Sequence, residues 1–373
     1  HVRPPAMPGL PSSRAMLALL VFADGSMAYN MPTVLPAHRR PAAGVQSPLS
    51  GRRGALAPLR MSFVPDKKAM KENFSKIPDH IRLRDPVLLA DGTTKDKCEI
   101  HSNGACLTSY TAGGYDVLFR RPDAVFDGSK PISGGVPICW PQFGPGDIQQ
   151  HGFARNLKWE CVDVVQKTAN GMNQGSWIAD QNRVVFELMD SEETRKMWNR
   201  QFKARYEVKL EGGSVSLSLR IENRGWETFN FTCALHTYFA VDDIDACSIS
   251  GLKDKTYVDK TVTPAVSKIE TESVFKVNGA PVERIYADVT GPVVLKDGAK
   301  KVIIRADSNW KDVVLWNPYG NDAMGYKNFI CIENGVINEP VTLKGGEMWY
   351  SEVSFTPYKD SMPAWAAALA EMD

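Results

Sequence analysis

Imidazole is scarce in this chain: six histidines in 373 residues. His1 and His38 lie in an N-terminal stretch of foreign composition, so His80, His101, His151 and His236 are left for chemistry. Net charge is also nearly absent. Forty-four Lys plus Arg stand against 43 Asp plus Glu, which removes any global pull toward nucleic acid or an acidic membrane and makes recognition a local matter. The seven cysteines are odd in number, scattered and without a CxxC pair. They read as reduced core or near-core thiols, and they suggest neither a disulfide framework nor a zinc site. There is no P-loop, no GxGxxG and no repeat of solenoid or propeller length. Only residues 15–23, AMLALLVFA, form a sustained apolar run, and that run is too short to span a bilayer.

Acid and lysine are missing from the first 62 residues, which hold seven arginines, one acidic residue (Asp24) and no lysine. The apolar run behind Arg14 has the length of a signal-peptide core, and the Arg-, Ala- and Pro-rich stretch after it has transit-peptide composition. The tandem is expected to be a bipartite plastid presequence over residues 1–62, followed by a charged link over 63–86. The chain opens on His1 and not on a methionine, so its true beginning is left open.

From residue 87 onward extended patterns take over. Residues 97–101 and 105–110 flank the turn Ser102-Asn103-Gly104 as a hairpin, and 115–120 follows Gly113-Gly114 as the next strand. Further strands are expected at 159–165, 183–189, 202–211, 214–222, 228–235, 293–296, 301–306, 312–316, 329–333 and 348–356. Val215, Leu217, Leu219 and Ile221 alternate with polar residues, the period-two mark of a half-buried strand. Helical pattern is confined to 191–199, capped by Ser191, and to 361–372. The reading is all-β: one large antiparallel β-sandwich domain over residues 87–373.

Residues 131–156, PISGGVPICWPQFGPGDIQQHGFARN, are expected to be the loop on which the chain converges. Five glycines and four prolines bar a long helix or a regular central strand. Val136, Ile138, Trp140, Phe143 and Phe153 ask for burial, while Gln149, Gln150, His151 and Arg155 suit a polar ligand. Two residues outside the loop stand out. His236 ends an apolar strand, and Glu333 closes the very apolar Phe329-Ile330-Cys331-Ile332 at the edge of a turn. A carboxylate buried there needs a cation, a hydrogen-bonding ligand or a task. No two of these residues stand at metal-ligand spacing, so no metal is expected.

Five motifs in order, GGVPICWPQFGPG, QQHGFARN, ALHTYF, FICIENG and LKGGEMWYSEVSF, make residues 87–358 resemble the hexose-6-phosphate mutarotases, or glucose-6-phosphate 1-epimerases, of the aldose 1-epimerase-like group. The resemblance implies a β-sandwich of the galactose-mutarotase type and interconversion of hexose 6-phosphate anomers without a cofactor, and a monomer is expected. It implies His236 as general acid and Glu333 as general base, the structural alternative being a buried ion pair. Gln150, His151 and Arg155 inherit substrate binding, with Arg155 as phosphate partner. Glu283 stands where the family carries a sugar-contacting aspartate. Ser133 stands where many members have an arginine, so one phosphate ligand is missing. Arg121 and Lys130 lie near enough to compensate, although solvated surface charge is the default for both. Competing expectations are a non-catalytic carbohydrate-binding or regulatory protein and a mutarotase of a free aldose. A glycosidase would want two carboxylates, and Glu333 is matched here with a histidine.

Overall fold

The structure is a computed structural model that describes residues 85–92, 94–166 and 181–359. The expected presequence, the link through residue 84, His80 and the expected helix at 361–372 lie outside the described residues.

Antiparallel pairing joins the described strands into three sheets. Four short strands, Val87–Ala90, Lys97–His101, Cys106–Ala112 and Tyr115–Asp116, form the smallest sheet. A nine-stranded sheet runs in the order Val274–Phe275, Ser248–Ser250, Val293–Asp297, Lys300–Ala306, Met348–Lys359, Ser214–Asn223, Phe202–Glu211, Gln181–Met189, Glu160–Gln166. The third sheet has eight strands and carries the site. Its order is Val266–Ile269, Thr256–Asp259, Val282–Tyr286, Asp312–Asn317, Phe329–Leu343, Phe229–Leu235, Ile138–Cys139, with Tyr238–Ala240 also paired to Phe329–Leu343.

The alternation expected for 214–222 is real: Val215, Leu217, Leu219 and Ile221 are buried and the residues between them are partly exposed. Their buried face shares one core with Leu315, Ile330, Ile332 and Val336 of the eight-stranded sheet, which makes the molecule a β-sandwich. All seven cysteines are free and buried.

Three sequence expectations need correction. The strand expected at 115–120 stops at Asp116, and Leu118 and Arg120 make only isolated bridges, to Phe239 and Gly134. The strand ending in Glu333 does not turn there but runs on to Leu343. Gly335 permits this, because a Cβ at 335 would lie 2.9 Å from the Cys233 carbonyl oxygen of the adjacent strand. Beyond it the Asp312 carboxylate accepts hydrogen bonds from the backbone of Ile337 (2.6 Å) and Asn338 (2.9 Å). The 131–156 loop is also not wholly irregular. Ile138–Cys139 pairs with the end of Phe229–Leu235, and residues Ala154–Asn156 form a 3-10 turn.

The loop is pinned by its aromatics. Trp140 is fully buried and meets Phe153, Trp198, Phe202 and Phe231 edge-on, with ring centroids 4.6–6.2 Å apart. Trp198 is supplied by the one helix expected in the body of the chain, Glu192–Met197. The Ser191 hydroxyl accepts from the Thr194 N–H, and the Thr194 hydroxyl accepts from the Ser191 N–H.

Candidate active site

Register builds the site. Because side chains alternate across a strand, Phe329 and Cys331 point away from the core that receives Ile330 and Ile332, and they form a second buried cluster with Tyr238. One row crosses four strands on that face: Glu283 pairs with Trp316, Trp316 with Cys331, and Cys331 with Tyr238. Glu333 lies two residues further along the same strand, opposite Val314. His236 follows the Phe229–Leu235 strand, whose Leu235 pairs with Asn334, so the ladder carries it to the level of Glu333.

The two side chains meet. His236 Nδ1 stands 3.5 Å from Glu333 Oε1, and their side chains are 11% and 2% exposed. The imidazole is stacked on the Tyr238 ring at 4.8 Å and 10°, and it meets the Trp316 ring edge-on at 5.8 Å. His151 approaches from the loop, with ring centroids 5.6 Å apart. His236 Nδ1 and Glu333 Oε2 have no hydrogen-bond partner among the described residues, an expensive state for buried polar atoms that a substrate hydroxyl would relieve.

Burial decides the protonation of this pair. It pushes Glu333 well above the usual carboxylate range, with the Glu283 charge adding to the rise. It lowers His236 to about 3, and the Arg155 charge adds to the fall. Burial therefore favours the uncharged form of each partner, a carboxylic acid beside a neutral imidazole. The sequence reading of carboxylate and imidazolium describes the same pair with its one proton on the other partner.

The loop brings its three expected ligands together. His151 sits at φ +64, a left-handed conformation unusual for a residue with a side chain. Gly144 N–H donates to its Nδ1 at 3.2 Å, and the Gln150 amide lies 3.3 Å from its Nε2. Burial and the Arg155 charge hold its pKa well below the ordinary value, so it is neutral. Arg155 Nη2 donates to the Gln150 carbonyl at 3.1 Å. Glu283 is 39% exposed at the outer end of the row and 3.4 Å from Lys260 Nζ. The site thus grades from the dry His236–Glu333 pair to a wet, charged rim.

Tyr238, Cys331, Trp316 and Lys260 were not singled out by sequence reasoning. For Tyr238 and Cys331 a signal existed, since each stands two residues from a candidate and so shares its face. For Trp316 and Lys260 there was none, because only strand register brings them in. The spacing argument against a metal also meets a surprise. Donor atoms of His236, Cys331 and Glu333 lie within 4.8 Å of one another. Any cation there would have to displace a thiol proton that burial holds well above its ordinary pKa, as well as the Glu333 proton.

The family model for aldose 1-epimerase matches residues 87–356. A protein of Cenchrus ciliaris and one of Escherichia coli K12, both named "Putative glucose-6-phosphate 1-epimerase", are 32% and 31% identical over 278 and 281 residues. These alignments cover 70% and 72% of this chain and 82% and 89% of those proteins. The crystal structure of YeaD from Salmonella typhimurium, described as a "putative mutarotase", superposes with a TM-score of 0.62 at 28% identity, covering 71% of this chain and 88% of that one. With the fold, the ordered motifs and the paired His236 and Glu333 all in place, this chain belongs to the aldose 1-epimerase family.

Proposed function

We propose that this protein interconverts the α and β anomers of a hexose 6-phosphate, glucose 6-phosphate foremost, by acid-base-catalysed ring opening and closure. The observation that carries the reading is the buried His236–Glu333 pair, 3.5 Å apart, with a polar atom on each side chain lacking a hydrogen-bond partner among the described residues. Ring opening takes a proton from the C1 hydroxyl and gives one to the ring oxygen. A pair that holds one proton can do both at once. With the proton on Glu333, Glu333 donates to the ring oxygen while His236 accepts from the hydroxyl, and the pair ends as carboxylate and imidazolium. Rotation about the C1–C2 bond and reclosure on the other face return both protons. The expected assignment, with Glu333 as base toward the C1 hydroxyl and His236 as acid toward the ring oxygen, is the converse arrangement, entered from the ionic form with each side chain facing the other oxygen. Tyr238 and Trp316 hold the imidazole, Gln150 and His151 address ring hydroxyls, and Glu283 reaches the sugar from the rim.

Arg155 is proposed as a phosphate ligand, since a guanidinium presents a fork to two phosphate oxygens. Anomer exchange followed by NMR should give a higher kcat/KM for glucose 6-phosphate than for glucose, and Arg155→Ala should cut that ratio roughly ten- to a hundredfold. Equal values for the two sugars in the wild type would favour a free aldose as substrate. No exchange with either would favour a carbohydrate-binding protein.

For residues 1–62 the proposed role is delivery to a plastid, on composition alone. N-terminal sequencing of the native protein should find a mature chain beginning between about Ala55 and Asp66. Recovery of a soluble cytosolic chain that retains these residues would remove the targeting role.

A further inference from the structure

Arg121 is not the surface charge expected of its neighbourhood: it is 6% exposed, whereas Lys130 is exposed. Backbone bonds tie its segment into the wall of the site. Phe119 N–H donates to the Tyr238 carbonyl at 2.9 Å, Gly135 N–H to the Phe119 carbonyl at 2.8 Å, and Arg121 N–H to the Ser133 carbonyl at 3.2 Å. The Arg121 guanidinium lies near enough to act electrostatically on Tyr238, the ring stacked on His236. A second guanidinium thus stands one side chain away from the acid-base pair, on a different segment from Arg155.

A buried guanidinium needs an anion. Here it is Asp123, which accepts from Nε at 2.9 Å and from Nη2 at 2.7 Å. The partners are unequally placed, since the arginine side chain is 5% exposed and the aspartate 42%. Asp123 can therefore turn into water cheaply, while Arg121 cannot leave. A bidentate anion arriving from solvent, such as a phosphate, would satisfy the same two donors.

We propose that Arg121 is a specificity-determining residue of this site: its fork exchanges the Asp123 carboxylate for the phosphate of the bound hexose 6-phosphate. This rests on the reading of the substrate given above. Asp123 neutralises the fork when no phosphate is present, so a free hexose gains nothing from Arg121, and phosphate is read by Arg121 and Arg155 from two segments.

The test compares kcat/KM for glucose 6-phosphate and glucose in the wild type, in Arg121→Ser and in the exchange Arg121→Ser with Ser133→Arg. Arg121→Ser should lower the phosphate-to-free ratio roughly ten- to a hundredfold, and the exchange should recover part of it. A wild-type preference for phosphate that survives Arg121→Ser, or a loss that falls equally on both sugars, overturns the role of Arg121 and leaves it a structural ion pair. Equal wild-type values overturn the phosphate reading itself and this proposal with it. Asp123→Asn gives an independent measure in a protein that keeps the arginine. Inorganic phosphate should inhibit this variant at a concentration at least about threefold lower than the wild type, because the internal competitor is neutral. Unchanged inhibition overturns the exchange.

Discussion

His236→Asn and Glu333→Gln should each cost roughly 100- to 10,000-fold in kcat for anomer exchange, the span of a positioned proton-transfer group. Both replacements keep size and polarity and remove only titration, so the β-sandwich should survive. The double variant should lose little more than the worse single one, since the two side chains handle one proton as a unit. Near-full activity in either single variant, with unaltered thermal unfolding, would reassign that residue to structure.

The pH dependence follows from the same pair. The one-proton state disappears on the acid side when His236 takes a second proton, at about 3. On the alkaline side it disappears when Glu333 ionises, well above the carboxylate range. The kcat/KM profile should therefore be a broad bell, wider than ordinary carboxyl and imidazole values would allow. Stability has the opposite signs at its two ends. Glu333 has a folded pKa raised above its unfolded one, so its favourable contribution is present below the unfolded value and is lost as pH rises toward the folded one. Glu333→Gln should unfold like the wild type at about pH 4 and at a higher temperature as pH rises from there, the gap widening by about 1.4 kcal/mol for each step of one in pH until the folded Glu333 ionises. His236 has a depressed folded pKa, so its contribution is lost as pH falls, and His236→Asn should protect on the acid side. A Tm difference that does not vary with pH in either variant would remove this account of the pair.

Gly135→Ala should be among the most damaging small substitutions in the loop. Gly135 sits at φ +65, and a Cβ there would lie 2.2 Å from the Leu107 carbonyl oxygen and 2.8 Å from the Thr108 Cα. Backbone cannot move aside as the end of a side chain can. The left-handed conformation costs about 1 to 2 kcal/mol and the overpacking about 1 to 3 more. Together they amount to roughly 3 kcal/mol, or about 5 to 10 °C in Tm for a domain of this size. Activity should fall with it, because Gly135 N–H bonds the Phe119 carbonyl and the Gly135 carbonyl accepts from Tyr238 N–H. Gly128→Ala is the control. It shares a positive φ of +79 but has nothing within 4 Å, so it should cost only the conformational part. Equal Tm losses in the two variants would show that strain and not collision sets the price.

The all-β class, the convergence on residues 131–156 and the candidacy of His236 and Glu333 were legible in the chain itself, while the acid and base roles came only with the family resemblance. Period-two alternation such as that of 214–222 is a local property, and so are a loop dense in glycine and proline and a carboxylate behind an apolar run. Local pattern could not say which residues share the face of that pair. The row from Glu283 through Trp316 and Cys331 to Tyr238 joins four strands distant in sequence, and it exists only once their register is set. Arg121 shows the same limit from the charge side. Beside Arg120, Pro122 and Asp123 it has the sequence surroundings of surface charge. It is buried because the backbone of residues 119–121 is held between Ser133–Gly135 and Tyr238. The residue types able to move a proton were determined by the sequence alone. Tertiary structure decided how dry their surroundings are, and with that where the proton rests, because desolvation is a property of neighbours brought together by folding.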